Sequence, residues 1–174
     1  MNVEMTEWPT EHDFIECKRR ALVTAGKLKV ITKPDSMWIF KILRARHSPI
    51  RRLRFSFDII DVPYWVSVHL CRHIHAQPYV KSQRNDRQTE YNRNSAPQDA
   101  LVNMIWDMNA EELMTIANKR LCRNASAETR SVVKAMCDAV IDKLPEFTAF
   151  LVPACLYMGC HEMYPCNGCK SGEK

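Results

Sequence analysis

Residues 72–84 hold the side chains of this chain that are best suited to bind an anion. Arg72 and His73 begin the segment, and Lys81, Ser82 and Arg84 end it. Guanidinium and ammonium groups bind phosphate through charge-assisted hydrogen bonds, and a loop adds backbone N–H donors. The sequence therefore predicts an anion-binding site where a helix runs out into a loop.

Composition predicts one domain spanning residues 1–174, with a cysteine-rich C-terminal tail at 155–169. The 174 residues are 46% apolar, which suffices for one core but hardly for two. No window approaches the roughly eighteen uninterrupted apolar residues of a membrane span. The acidic N-terminus is unlike a signal peptide. We therefore expect a cytoplasmic protein without a membrane partner.

The formal net charge of +5 favours a phosphorylated partner, either a nucleotide or a polynucleotide. The cations are grouped at residues 18–20, 44–47, 51–54 and 84–93. A solvated basic surface is the alternative explanation for each group taken alone.

Hydrophobic periodicity in the first third of the chain predicts one helix and three strands. The helix covers residues 11–24, and two strands follow over residues 27–32 and 38–43. Residues 53–59 alternate apolar and polar side chains, which is typical of a strand with one buried face.

The next segment is predicted as a helix followed by a loop. Asp61 is placed as the N-cap and Pro63 in the first turn, and His69 and His73 lie on the apolar face. Two histidines without a carboxylate partner favour core residues over a metal site. Residues 81–96 are polar and aperiodic, which predicts a loop or lid.

Helical spacing dominates the second half of the chain. Residues 101–108 predict a helix, Asn109 and Ser126 predict N-caps of two more, Pro145 ends the last of these, and residues 147–156 start a terminal helix. The order of elements predicts an α+β fold, a small antiparallel sheet packed with several helices.

Several segments together resemble the flavin-dependent thymidylate synthases, over roughly residues 40 to 152. That family has a His-Thr-Ser/Pro-Phe-Glu segment ahead of a strand, an Arg-His-Arg signature at a helix end and a Ser-x-Arg-Tyr element after it. The matching segments here are His47-Ser48-Pro49-Ile50-Arg51, Arg72-His73-Ile74 and Ser82-Gln83-Arg84-Asn85, and then, in the same order, Arg93 with Pro97, Asn109–Met114, Asn118–Arg120 and Ala125–Glu128.

The chain departs from the family at several signature positions. Ile74 replaces the second arginine, and Arg51 replaces the glutamate that ends the first segment. Further replacements are His69 for a glutamine, Gln77 for a serine, Val80 for a glutamate, Gln83 for the glycine and Asn85 for the tyrosine. Several lost positions lie on the flavin side in the family, whereas the cations on the nucleotide side are kept.

The resemblance implies a site for dUMP beside a site for FAD. Arg120 would be the catalytic residue that contacts the pyrimidine and stabilises negative charge on the ring. The other dUMP residues would be His69, Arg72, Lys81, Ser82, Gln83, Arg84 and Arg93. The FAD residues would be Ser48, Arg72, His73, Asn109 and Thr115.

The resemblance also implies the reaction and the assembly. The enzyme would methylate carbon 5 of dUMP reductively to give dTMP, with methylenetetrahydrofolate as carbon donor and NADPH as reductant. The family builds each site from several chains of a homotetramer. Two alternatives remain open: a relative that carries out another carbon-5 modification, and a non-enzymatic nucleotide- or nucleic-acid-binding module with a degenerate site.

The tail carries a separate prediction of structural zinc. Cys155, Cys160, Cys166 and Cys169, with His161 among them, supply enough thiolates and imidazole for a tetrahedral site. A metal-free cluster of thiols and a disulfide are the alternatives.

Overall fold

An antiparallel sheet forms the centre of the molecule. The structure, a computed structural model, describes residues 1–84, 86, 92–156, 158–160 and 162–166. Within these residues the sheet has four strands in the order β1-β2-β4-β3. They are β1 (Asn2–Glu7), β2 (Arg54–Pro63), β3 (Gln77–Val80) and β4 (Leu101–Asn109).

Helices pack against this sheet and supply the other part of the predicted α+β fold, which is confirmed. The α-helices are α1 (Glu11–Val23), α2 (Ser36–Arg44), α3 (Tyr64–Leu70), α4 (Ala110–Arg120) and α5 (Ala127–Lys143). Short 3-10 turns lie at Ser48–Arg52, Pro145–Phe147 and Ala154–Leu156. Among the described residues, every helix falls short of the length and apolar character that crossing a membrane would require.

The two central strands bury one face of the sheet. Trp106 of β4 pairs with Phe57 of β2 on one side and with Pro78 of β3 on the other. Alternate residues of β2 and β4 are buried, so these strands supply much of the core. Their buried side chains include Phe55, Phe57, Ile59, Val102, Met104, Trp106 and Met108.

Strand β2 carries one extra residue relative to β4. Ile59 pairs with Met104 but Val62 pairs with Val102, so three steps on β2 match two on β4. Asp61 lies in this bulge at φ 55, and its N–H donates a 3.0 Å hydrogen bond to Asn103 Oδ1. The bulge lets the strand continue with Val62 buried and lead directly into α3.

Several predicted elements are confirmed, and their capping residues explain why they form. The helix over 11–24 is α1, capped by Thr10 in a capping box with Asp13. Asn109 and Ser126 cap α4 and α5 as expected, and the strand over 53–59 is the first part of β2.

Two strands predicted before β2 were wrong. Residues 38–43 belong to helix α2, because the Asp35 side chain accepts from Trp38 N at 2.7 Å and caps the N-terminus. This helix buries Ile39, Ile42 and Leu43 at helical spacing. Residues 27–32 form a turn and an extended, exposed segment after Gly26. β-Branched and aromatic residues are common in strands, and their presence in these segments led to the wrong prediction.

The helix predicted over residues 101–108 is strand β4. Leu101, Met104, Ile105 and Met108 have helical spacing, but Leu101 and Ile105 are exposed. The buried set alternates instead, and pairing with β2 on one side and β3 on the other fixes the extended conformation. Tertiary pairing overrides the local pattern here.

Two boundaries also need correction. Asp61 does not cap α3, which begins at Tyr64 with Pro63 in the cap position and ends at Leu70, before His73. The terminal helix predicted from residue 147 is absent from the described residues, where 3-10 turns at Pro145–Phe147 and Ala154–Leu156 replace it. Pro153 interrupts helical hydrogen bonding in this segment.

Candidate functional site

Arg120, at the end of α4, contacts the last turn of α3 and the segment that follows it. Its Nε donates a 2.9 Å hydrogen bond to His73 Nε2, and its Nη2 donates a 3.1 Å hydrogen bond to the backbone oxygen of His69. The structure therefore brings together three of the predicted site residues from two distant parts of the chain. Within the part of the chain that the structure describes, Arg120 Nη1 donates to no protein group.

Arg72 brings a second guanidinium near Arg120. Burial lowers the pKa of the Arg120 guanidinium from its ordinary value, and the positive charge of Arg72 lowers it further. Two cations held near each other repel, and an anion that contacts both would relieve the repulsion. The pair thus has the electrostatics of an anion site.

His73 joins Arg120 to a buried carboxylate. His73 Nδ1 lies 3.4 Å from Glu112 Oε1, and the side chains of both residues are nearly buried. The His73 ring also packs edge-on against Trp106, with the ring centroids 6.2 Å apart. Glu112, His73 and Arg120 therefore form a continuous polar chain beneath the site.

A cavity of about 330 Å³ opens beside this chain, at the N-terminal end of α4. Asn109 and Thr115, both predicted FAD residues, line it together with Glu112. Its other lining residues are Arg51, His75 and Glu111. The cavity adjoins the Arg120 site, because Glu112 lines the cavity and approaches His73.

The predicted FAD residue Ser48 belongs to the same 3-10 turn, Ser48–Arg52, as Arg51, which lines the cavity. Ser48 is exposed, and Arg51 forms an ion pair with Glu111 of α4. Thr115 is held by its neighbours, since its Oγ1 donates to Glu111 O at 2.9 Å and accepts from Arg46 at 3.3 Å.

The predicted phosphate-binding residues lie on the segment after β3. Lys81 N donates to Asn103 O at 2.9 Å, which fixes the start of the segment on β4. Arg84 is exposed, its N–H donates to Ser82 Oγ at 3.2 Å, and its guanidinium pairs with Asp86 at 2.6 Å. The hydrogen bonds of Arg84 are therefore local, unlike those of Arg120.

The remaining predicted dUMP residues of this region are Gln83 and Arg93. Gln83 is half-buried and Arg93 is exposed. Neither belongs to the polar chain of Glu112, His73 and Arg120, so their part in the site stays a prediction.

Sequence reasoning missed Glu112, His75 and Arg51 as lining residues. Glu112 was explained by the favourable interaction of an acidic residue with the N-terminus of α4. Its position in the sequence could have identified it. Asn109, Glu112 and Thr115 follow one another at intervals of three residues, which places them on one face of the helix. Its burial and its long-range contact with His73 distinguish Glu112 from the neighbouring Glu111, which is only partly buried.

The zinc prediction for the tail stays a prediction. Cys155, Cys160 and Cys166 are partly buried, and Cys169 and His161 lie outside the described residues. Among the described residues, no group of three or more His, Cys, Asp or Glu side chains is placed to hold a metal ion.

Comparison with known proteins identifies a family segment within the chain. The model of the thymidylate synthase complementing protein family matches residues 85–146. This segment contains β4, α4 and α5 in full, and so includes Asn109, Glu112 and Arg120. No curated protein sequence matches the chain significantly.

Solved structures share the fold at low sequence identity. The flavin-dependent thymidylate synthase of Helicobacter pylori, complexed with FAD and dUMP, has a TM-score of 0.68 and 16% identity, covering 87% of this chain and 98% of that chain. A second structure of the Helicobacter pylori enzyme with FAD and dUMP has a TM-score of 0.68 and 17% identity, covering 90% and 100%.

A third similar structure is a UMP/dUMP methylase from Streptomyces cacaoi bound with 5-Br dUMP. Its TM-score is 0.67 at 16% identity, and the match covers 87% of this chain and 96% of that chain. The resemblance predicted from the signature segments is confirmed: the chain is similar to the flavin-dependent thymidylate synthases both in a segment of its sequence and in its fold.

Proposed function

We propose that this chain is a flavin-dependent methylase that acts on carbon 5 of the uracil ring of dUMP. The observation that carries the proposal is the Arg120 guanidinium, which is held by His73 and His69 with Arg72 nearby and keeps Nη1 as a donor. The similar structures from Helicobacter pylori bind dUMP, which gives the anion site a ligand of matching charge.

The side chains of the site would bind and orient the pyrimidine. Arg120 would donate to a uracil oxygen and stabilise the negative charge that develops on the ring as carbon 5 becomes nucleophilic. Its fixed position matters, because a donor held in place before reaction requires little reorganisation. Arg72, more exposed than His73, would supply a second positive charge beside the same ligand.

The loop after β3 would bind the phosphate. Lys81, Ser82, Gln83 and Arg84 offer two cations, a hydroxyl and a side-chain amide on one short segment. Arg84 would exchange its exposed contact with Asp86 for the phosphate. Arg93 would serve a neighbouring subunit if the chain forms a homotetramer.

The cavity at the start of α4 fits part of FAD. Asn109 presents its amide nitrogen there, because its Oδ1 is already used to accept from Glu112 N at 3.0 Å. Arg51 adds a cation, and Thr115, Ser48 and His73 lie in or beside the same region. When bound and reduced by NADPH, the flavin would supply the hydride for the new methyl group, with methylenetetrahydrofolate as carbon donor.

The proposal is tested with the purified protein and a flavin spectrum. After incubation with FAD and desalting, we expect a retained flavin absorption that changes when dUMP is added. UMP is the nucleotide for comparison in the same titration, because one similar structure is a methylase of both UMP and dUMP. A larger response to dUMP than to UMP would assign the substrate, and turnover to dTMP would then be measured with folate and NADPH. Absence of flavin retention, or of dUMP binding, would refute the proposal.

A non-enzymatic nucleotide- or nucleic-acid-binding module is the second candidate. It is favoured by Ile74, which is 84% exposed where the family has an arginine on the flavin side, because loss of that cation would weaken flavin binding more than nucleotide binding. Binding to a single-stranded oligonucleotide that exceeds binding to dUMP and falls steeply with salt would support this candidate.

A further inference from the structure

We infer that Glu112 is a positioning residue for Arg120 and acts through His73. The inferred arrangement is a buried carboxylate that fixes the tautomer of His73, whose other nitrogen then fixes the guanidinium. The functional part of this inference rests on the proposed binding of dUMP, whereas the arrangement itself does not.

Proton placement follows from the donor properties of arginine. The Arg120 Nε–H can only donate, so His73 Nε2 must present a lone pair across the 2.9 Å contact. The proton of the neutral imidazole is therefore on Nδ1. That nitrogen is 3.4 Å from Glu112 Oε1, so the proton faces the carboxylate.

Glu112 is well suited to hold His73 because it is itself held. It is only 6% exposed, and its backbone N–H donates to the capping Asn109 Oδ1 at 3.0 Å. The indole of Trp106 packs edge-on against the His73 ring, which restricts rotation of the imidazole. The carboxylate therefore acts on a ring with few alternative orientations.

The order of the three groups leaves the guanidinium available to a ligand. A carboxylate in direct contact with Arg120 would occupy two of its donors in a bidentate pair. Here His73 lies between the charges and accepts only the Nε–H, while His69 O accepts from Nη2. Arg120 is fixed at one edge and keeps Nη1 for the substrate.

Without the carboxylate, the alternative tautomer of His73 becomes competitive. That tautomer places N–H on Nε2, against the Nε–H of Arg120, and two donors cannot form a hydrogen bond. The Arg120 guanidinium then loses the hydrogen bond from Nε to His73 that holds it in position. The inference thus connects a residue that lines the cavity with the position of a residue in the adjoining anion site.

The test begins with the wild-type protein and needs no substrate. In ¹⁵N-histidine NMR spectra, assigned to His73 by its loss in His73→Gln, we expect the neutral Nδ1–H tautomer. Glu112→Ala should lose this preference, whereas Glu112→Gln should keep it because the amide oxygen accepts from Nδ1–H. Asp138→Asn is the matched control, since it removes one carboxylate from an exposed ion pair with Lys134.

Titration with dUMP provides the second measurement. Glu112→Ala should bind dUMP about tenfold more weakly, and Glu112→Gln should stay within about threefold of wild type. A merely structural role of Glu112 would lower stability without moving the His73 tautomer.

Two results would overturn the inference. One is a wild-type His73 that is neutral and protonated on Nε2. The other is a folded Glu112→Ala variant with the wild-type tautomer and the wild-type dUMP affinity. If the wild-type protein binds no dUMP, the proposed function is refuted, and the tautomer spectra of wild type and Glu112→Ala alone decide whether Glu112 positions His73.

Discussion

Asn118 Nδ2 donates a 2.7 Å hydrogen bond to the backbone oxygen of Val152 and thereby fastens α4 to the C-terminal segment. The same nitrogen donates to Phe150 O at 3.0 Å, and Oδ1 accepts from Arg46. Because the residue is buried, its removal leaves carbonyl groups without a donor.

We therefore expect Asn118→Ala to lower the free energy of unfolding by about 2 kcal/mol. Urea denaturation followed by circular dichroism measures the change. Asn124→Ala is the control, because Asn124 makes a similar bond to Tyr164 O but is exposed, and it should change stability by less than about 0.5 kcal/mol. Equal effects of the two substitutions would contradict the anchoring role.

Arg120→Lys is predicted to weaken dUMP binding by about tenfold. Lysine keeps the charge but lacks the guanidinium fork that contacts both His73 and His69. Isothermal titration calorimetry gives the affinity. Arg19→Lys, in the partly buried contact with Glu16 on α1, should bind dUMP like wild type. An Arg120→Lys variant with unchanged affinity would remove Arg120 from the nucleotide site.

Trp106→Phe is predicted to cost much less stability than its buried position suggests. Trp106 is fully buried, and among the described residues its Nε1 is the buried side-chain polar atom without a hydrogen-bond partner. Phenylalanine removes that unsatisfied donor and keeps most of the apolar contact, so the loss should be about 1 kcal/mol or less. Trp106→Ala should cost about 3–5 kcal/mol. Equal losses in chemical denaturation would show that Nε1 is satisfied in solution.

Two buried thiols are predicted to resist alkylation in the native protein. Burial raises the pKa of Cys17 to about 11 and that of Cys137 to about 12, and the thiolate is the reactive form. At pH 8 both should stay unmodified by iodoacetamide until denaturant is added. Mass spectrometry of digested protein locates the modified cysteines, and the partly buried Cys155 serves as the internal comparison. Rapid native labelling of Cys137 would contradict its burial.

The capping box of α1 is predicted to lose its contribution in acid. Burial raises the pKa of Asp13, but hydrogen bonds from Thr10 and the positive charges of Arg52 and His12 outweigh it, so the folded-state pKa lies below 3.8. A lowered folded-state pKa stabilises the protein above the unfolded value, and this stabilisation disappears as pH falls through the folded value.

Asp13→Asn should therefore cost about 0.5 kcal/mol near pH 6 and progressively less below pH 3.8. Denaturation curves from pH 6 to about pH 3 measure the difference between variant and wild type. Asp142→Asn, at an exposed position near the end of α5, is the control for a changed net charge. A difference that grows in acid would show that the pKa of Asp13 is raised, not lowered, by folding.

The sequence predicted the α+β class and the family resemblance because both depend on the order of segments. N-caps such as Asn109 and Ser126 could be predicted from the sequence because they depend on local contacts alone. In each, the cap side chain accepts a hydrogen bond from the N–H three residues later. The sequence could not show that residues 101–109 form a strand, because their apolar spacing also fits a helix. Pairing with β2 and β3 determines the extended conformation.

The site was predicted in part for the same reason. Arg120 and His73 were found through the family segments, but their hydrogen bond spans 47 residues of sequence. An acidic residue in the first turn of α4 is already explained by the local interaction with the helix N-terminus. The sequence therefore gave no reason to expect the contact of Glu112 with His73.

The bulge at Asp61 determines how α3, and with it the anion site, is oriented relative to the sheet. Side chains alternate along a strand, so one extra residue decides which face of β2 leads into α3. Deleting Ile60 would restore regular pairing and yet turn α3 away from α4, separating His69 and His73 from Arg120. The geometry of the anion site thus depends on one extra residue in β2, several positions before His69 and His73.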